Sequence, residues 1–166
     1  MDVDEIASRL EIEHTLTLYC LGVDAGDAEA IKKSFHPDAT DEHGPFQGLG
    51  WELAARLQHS AEHPEARGHH EVCNVFIEFD SPDVARVSSY VHAYHPIKDE
   101  EDRDRLLIFA GRYLDRFERR DGSWKIAARK VISDFHSLTD VDPPMAGFPV
   151  GRKGRGVDEF YRMFKV

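Results

Sequence analysis

Apolar residues recur at helical spacing through the first third of the chain. They lie at Ile6, Leu10, Leu16, Leu18 and Leu21. This spacing predicts a helix from Val3 to Val23 with one buried side. Asp27 is a suitable N-cap for a second, short helix from Ala28 to Phe35, which the following His36-Pro37 pair would end. A third helix is predicted at about Trp51 to Glu62, after a glycine-rich loop.

Beyond His63-Pro64 the pattern changes from helical to alternating, which is typical of strands. Four strands are predicted, at His70 to Phe79, Val84 to His95, Leu106 to Arg119 and Trp124 to Phe135. Turn residues separate them at Ser81-Pro82-Asp83 and at Asp121-Gly122, and the charged segment 96–104 is predicted to be an exposed loop.

Helices followed by long antiparallel strands indicate the α+β class. Long strands curl because of their right-handed twist, and a curled sheet with helices on its concave side encloses a pocket. We place this domain at residues 1–137. The remainder, 138–166, is rich in proline and glycine, and we expect an irregular extension with room for one short helix at Val157 to Met163.

The amino-acid composition and net charge limit the classes of molecule that the protein is expected to bind. The 166 residues suffice for one domain, and 41% hydrophobic with 31% charged residues is typical of a globular chain. The net charge of −10 would repel nucleic acid and anionic membrane surfaces. The acidic start Met1-Asp2-Val3-Asp4-Glu5 is unlike a signal peptide, and Cys20 and Cys73 lack C-x-x-C spacing. We therefore expect a cytoplasmic protein with no nucleic-acid and no membrane partner.

Four segments carry a more specific signal. They are Tyr19-Cys20-Leu21-Gly22-Val23-Asp24, Phe35-His36-Pro37-Asp38-Ala39, His70-x-x-x-Asn74, and Gly111-Arg112-Tyr113 with the strand that leads to Arg129. Together they resemble the SnoaL-like branch of the nuclear-transport-factor-2-like (NTF2-like) superfamily, over roughly Ile6 to Phe135. The resemblance implies a cone-shaped barrel, in which a curved, mainly antiparallel sheet wraps around the N-terminal helices. This fold hosts dehydratases, a dehydrochlorinase, isomerases and polyketide cyclases, so it does not select one reaction.

The resemblance implies four catalytic residues, Asp24, His70, Tyr19 and Arg129. Dehydratase and dehydrochlorinase members use an aspartate at the end of the first helix and a histidine that opens the next long strand, which correspond to Asp24 and His70. A carboxylate fixes the tautomer of an imidazole and stabilises its protonated form, so we expect the pair to lie within hydrogen-bond reach. His69 is the alternative, but adjacent strand residues face opposite sides, and the family spacing selects His70.

Tyr19 and Arg129 each have a structural alternative. Tyr19 lies five residues before Asp24, about 140° around a helix, so both reach one pocket only if the helix end unwinds. Otherwise Tyr19 packs in the core. Arg129 would be costly in the interior without an acidic partner.

Further polar side chains are candidates for substrate binding. His92 and Tyr94 share one face of the second strand, Tyr113 lies on the third, and Asn74 belongs to the strand of His70. If those faces line the cone, they supply hydrogen-bond donors to a substrate. The commoner explanation for such residues is packing in the core.

Ten histidines raise the question of a metal site. His92 and His95 have opposite parity and cannot share a face of a regular strand. Neither an H-E-x-x-H motif nor a Cys-His cluster occurs. We expect no metal and no cofactor.

These observations lead to the hypothesis of a cofactor-independent lyase of the dehydratase or dehydrohalogenase type. The Asp24–His70 dyad would act as general base on a small, cyclic, apolar substrate in the cone cavity. Three alternatives stay open: an isomerase or polyketide cyclase with Asp24 itself as base, a non-catalytic beta subunit of a ring-hydroxylating dioxygenase, and a ligand-binding module. The resemblance also implies a homo-oligomer, either a dimer or a trimer.

Overall fold

The computed structural model describes residues 2–61, 68–143, 146–147 and 163–164. Within them, three helices are α1 (Val3–Ala25), α2 (Ala28–Ser34) and α3 (Gly50–Ala61). One sheet contains six strands: β1 (Phe35–His43), β2 (Phe46–Leu49), β3 (His69–Ser81), β4 (Val84–Lys98), β5 (Asp104–Arg120) and β6 (Ser123–Asp140). The strand order is β2-β1-β6-β5-β4-β3, and every neighbouring pair is antiparallel except β1 with β6.

The sheet is curved and unclosed, and the helices pack on its concave side, so the predicted α+β class and cone are confirmed. Register shifts interrupt the β3–β4 and β5–β6 ladders. Such bulges bend a strand and increase its twist, which curls the sheet around the helices. The core between the two layers includes Ile12, Leu16, Ile31, Phe35, Val87, Val91, Phe117, Trp124 and Ile126.

Helix α1 begins at the N-cap Asp2, whose carboxylate accepts a 2.8 Å hydrogen bond from the backbone N–H of Glu5. The predicted apolar stripe is wrong at its first turns, because Ile6 and Leu10 are 46% and 63% exposed. Ile12 and Leu16 are buried instead. None of the helices in the described ranges has the length and apolar character needed to cross a membrane.

Strands β1 and β2 replace the predicted helix stop and loop, so the sheet has six strands rather than four. Segment 38–43 is polar except for Ala39, which conceals its alternation of buried Ala39 and Asp41 with exposed Thr40 and Glu42. Pro37 falls where the β1–β6 register is irregular, a place where proline costs no ladder hydrogen bond. A polar strand with a proline therefore resembles a loop in the sequence.

The long strands extend further than predicted. Strand β4 continues to Lys98, and the turn after it is held by the carboxylate of Asp99, which accepts the backbone N–H of Glu101 at 3.0 Å and of Arg103 at 2.9 Å. Strand β6 continues to Asp140, three residues into the predicted irregular extension that follows residue 137. Most of the short helix predicted at Val157 to Met163 lies outside the described residues.

Gly111 marks a tight contact at the bulge between β5 and β6. A Cβ atom at this position would overlap the carbonyl oxygen of Ile132 and lie 2.7 Å from the ring of Phe109. Because the first neighbour is backbone, a larger residue must push the two strands apart.

We therefore expect Gly111→Ala to lower the free energy of unfolding by about 1 to 3 kcal/mol, the usual cost of overpacking. Urea unfolding measures the change. Ser133→Ala is the matched control, because Ser133 pairs with Gly111 across the ladder and is exposed. Equal stability of the two variants would contradict the proposed overlap.

Candidate active site

The end of α1 places Asp24 against the start of β3. Gly26 closes the helix in the left-handed region, with φ 64°, and the backbone N–H of Asp27 donates to the carbonyl of Gly22 at 2.8 Å. Asp24 therefore lies in the last helical turn, whereas the sequence predicted it just past the helix. Its side chain is 4% exposed.

Asp24 holds His70 through both its backbone and its ring. The ring Nδ1 lies 2.7 Å from Asp24 Oδ1, and the backbone N–H of His70 donates to the two carboxylate oxygens at 3.1 and 3.2 Å. A carboxylate accepts, so the neutral ring carries its proton on Nδ1 and presents Nε2 as the basic nitrogen. The His70 side chain is 8% exposed, so water competes little for this contact.

His69 lies on the other face of the sheet. Its side chain is 51% exposed, and its Nε2 lies 3.4 Å from Glu71 Oε1. The structure thus places His70, and not its neighbour, towards the helices.

His95 is a site residue that the sequence did not single out. Its ring meets that of His70 edge to face, with centroids 5.1 Å apart. Burial lowers the pKa of His95 to about 4, and the nearby His70 and His43 add to the effect. His95 is therefore neutral at pH 7.

The alternation of side chains along β4 explains why the sequence analysis missed His95 and why it chose His92 and Tyr94 as substrate-binding candidates. Val91 and Ala93 are buried, so the odd-numbered positions, His95 included, face the helices. His92 and Tyr94 face the opposite side, where His92 Nδ1 lies 4.0 Å from Glu71 and the Tyr94 ring lies near that of His69. The prediction that these two residues line the cavity is wrong. In the sequence, the apolar residues at alternate positions, such as Val91 and Ala93, would have indicated which face of β4 points inward.

Asn74 is also displaced from the predicted position. It lies in the β3 bulge with a φ of 49° and is exposed. The bulge breaks the alternation that would have placed it beside His70.

Arg129 forms a buried ion pair with Asp115. Arg129 Nε and Nη2 donate to the two carboxylate oxygens at 2.8 and 2.7 Å, and both side chains are 0% exposed. The guanidinium Cζ lies 4.2 Å from the ring centroid of Tyr19 and 4.0 Å from that of Tyr113. This cluster supplies the acidic partner that an interior arginine requires.

Tyr19 and Tyr113 are enclosed in the same cluster. They are 1% and 2% exposed, and their rings meet edge to face at 5.8 Å. Burial raises the pKa of the Tyr19 hydroxyl, although Arg129 opposes the shift. Helix α1 does not unwind before Ala25, so Tyr19, Tyr113 and Arg129 form part of the core, the alternative that the sequence left open.

The described residues contain no group of three or more histidine, cysteine, aspartate or glutamate side chains arranged to hold a metal ion.

The family model of the SnoaL-like domain matches residues 4–130. The chain therefore belongs to the SnoaL-like family. Comparison with curated proteins finds no match.

Solved structures share the fold. A type 2 hexachlorocyclohexane dehydrochlorinase, LinA, is 24% identical over 87% of this chain and 99% of its own, with a TM-score of 0.75. A candidate scytalone dehydratase from Novosphingobium aromaticivorans is 23% identical over 90% and 100% of the two chains, with a TM-score of 0.72. A candidate aromatic ring hydroxylase from the same organism is 21% identical over 81% and 94%, with a TM-score of 0.69.

The buried pair predicts a large stability effect at Asp115. Asp115→Asn leaves the Arg129 cation without its counter-charge, and we expect a loss of about 3 to 5 kcal/mol in the free energy of unfolding. Asp134→Asn is the matched control, because the Arg112–Asp134 pair is 39% and 42% exposed and should cost less than about 1 kcal/mol. Urea unfolding compares the two variants. Similar losses would show that burial does not set the strength of these pairs.

Proposed function

We propose that this protein is a cofactor-independent lyase that eliminates water or halide from a small, cyclic, largely apolar substrate. The observation that carries the proposal is the 2.7 Å contact between His70 Nδ1 and Asp24 Oδ1. The solved structures that share the fold support it, since they include a dehydrochlorinase and a candidate scytalone dehydratase.

The dyad suits proton abstraction from carbon. His70 Nε2 takes the proton, and the Asp24 carboxylate stabilises the imidazolium that forms. The low exposure of both side chains strengthens this charge interaction relative to one in water.

The surroundings of His70 favour an apolar substrate. Val72 follows on the same face of β3, and their partners across the ladder are Ala93 and Val91, which are 3% and 1% exposed. A neutral His95 adds a polar ring without repelling the imidazolium of His70.

The same geometry disfavours an isomerase or cyclase in which Asp24 is the base. Both carboxylate oxygens accept the backbone N–H of His70, and Oδ1 also binds the ring. A substrate proton would have to displace these contacts.

Variants of the dyad test the proposal. We expect Asp24→Asn to slow elimination at least about 10²-fold, because an amide can turn its NH₂ to the ring and favour the wrong tautomer. His70→Ala should lose a similar factor, and the double variant little more, because the two residues act as a unit. The measurement is turnover of β-hydroxycyclohexanone and β-chlorocyclohexanone, followed by the absorbance of the enone product.

His92→Ala is the control for that experiment, since His92 lies on the outer face, and thermal melts check that each variant folds. Near-wild-type rates in a folded Asp24→Asn protein would contradict the proposal. They would favour a ligand-binding module or a dioxygenase beta subunit instead.

We also propose that the protein forms a homo-oligomer through the outer face of the sheet. That face exposes Phe76 by 66% and Phe135 by 65%, with Tyr90 and Leu114 between them. Phe76→Glu should yield a lighter species in sedimentation velocity, whereas Val3→Glu, on an exposed turn of α1, should not. An unchanged sedimentation coefficient for Phe76→Glu would contradict an interface on this face.

A further inference from the structure

Strand β1 brings a further buried carboxylate, that of Asp41, to the inner face. Asp41 is 1% exposed, and neither carboxylate oxygen has a hydrogen-bond partner among the described residues. Its register partner on β6 is Arg129, but the guanidinium of Arg129 binds Asp115. A buried carboxylate without donors costs free energy, so its presence calls for a functional reason.

Among the described residues, His43 is the ionisable side chain within 4.0 Å of the Asp41 carboxylate, two residues further along the same face. His43 Nδ1 lies 3.6 Å from Asp41 Oδ1, and the side chain is 34% exposed. Nδ1 itself is buried, and no acceptor within the described ranges lies at hydrogen-bond distance. A shift of a few tenths of an ångström would close this contact, and catalytic hydrogen bonds are often longer before a ligand binds.

This arrangement repeats that of Asp24 and His70 with different elements. In each pair a buried carboxylate lies next to Nδ1, so the other ring nitrogen, Nε2, is the one that can meet a ligand. His95 lies close enough to both histidines that each lowers its pKa, although burial is the larger cause. His43 on β1 and His70 on β3 thus each lie beside a buried aspartate on the helix side of the sheet, and His95 contacts the His70 ring.

An elimination that releases hydroxide needs a proton for the departing oxygen. His95, with a pKa of about 4, is neutral at pH 7 and is a poor source. Tyr19 is enclosed by the Arg129 cluster, and burial raises the pKa of its hydroxyl. Among the inward-facing side chains of the described residues, His43 combines a ring that is 34% exposed with a carboxylate oxygen 3.6 Å from its Nδ1.

We propose that His43, oriented by Asp41, protonates the leaving oxygen while His70 removes the proton from carbon, so that the site eliminates water in preference to halide. This inference rests on the proposed lyase function. In the step, the C–H electrons form the new C=C bond and the C–O bond breaks. The oxygen keeps the electron pair of the broken C–O bond, takes the proton from His43 and departs as water. His70 then releases its proton to solvent, and His43 takes one up.

The leaving group provides the test. β-Hydroxycyclohexanone and β-chlorocyclohexanone share the acidic C–H, but only the hydroxyl requires a proton to depart. We expect His43→Gln to slow the hydroxy compound at least about 10²-fold, the lower range for a positioned acid, and the chloro compound by no more than a few-fold. Asp41→Asn, as the positioning residue, should show the same dependence on the leaving group. The double variant should lose little more than either single one.

His92→Gln is the matched control, because His92 lies on the opposite face of the sheet. If the buried Asp41→Asn variant fails to fold, His43→Gln alone still tests the proposal. Equal slowing of both compounds by His43→Gln, or no slowing, would overturn the assignment. If Asp24→Asn slows both compounds while His43→Gln does not distinguish them, the lyase function stands and only the role of His43 fails. If Asp24→Asn slows neither, the proposed function itself fails.

A second measurement does not require turnover. In the wild-type protein, β-hydroxycyclohexanone should shift the imidazole NMR resonances of both His43 and His70, with those of His92 unchanged. Shifts at His70 alone, or at neither histidine, would overturn the assignment.

Discussion

The buried guanidinium of Arg129 joins more of the fold than any other side chain described above. It pairs with Asp115 on β5, and it contacts the rings of Tyr19 of α1 and Tyr113 of β5, with Phe35 at the start of β1 5.6 Å away. One cation thus fixes the first helix against three strands. Because Tyr19 lies little more than one helical turn before Asp24, the same contact fixes the direction from which that carboxylate reaches β3.

Three of the buried carboxylates, those of Asp24, Asp41 and Asp115, lie in different environments. Asp115 is neutralised by an arginine and acts in stability. Asp24 binds the backbone and ring of His70 and so orients that ring. Asp41 lies 3.6 Å from Nδ1 of His43 and has no hydrogen-bond partner among the described residues. The protein therefore uses one residue type for architecture, for orientation and, in our proposal, for control of the leaving group.

The sequence predicted the structure well where a local pattern or a family motif determines it. It predicted less where the structure depends on pairing between segments that are far apart in the chain. Helix bounds, the Asp121-Gly122 turn and the long strands follow from periodicity and turn chemistry. The proximity of Asp24 and His70 follows from the motif. Strand β1 could not be found in this way, because its pairing with the last strand, and not its composition, makes it a strand. For β4, polar residues pointed to the wrong inner face, since apolar Val91 and Ala93 mark the buried side and His95 shares their parity.

The parallel pairing of β1 with β6 has a consequence for how the protein is made. Phe35 finds its partner at Ile126, so β1 and its hairpin partner β2 emerge from the ribosome long before β6. Contacts between such distant segments form late and slowly. Until then the nascent chain presents the polar inner positions of β1 to water, where Asp41 and His43 are well solvated. Their polarity, which costs free energy once the segment is buried, favours hydration of this segment before β6 is made.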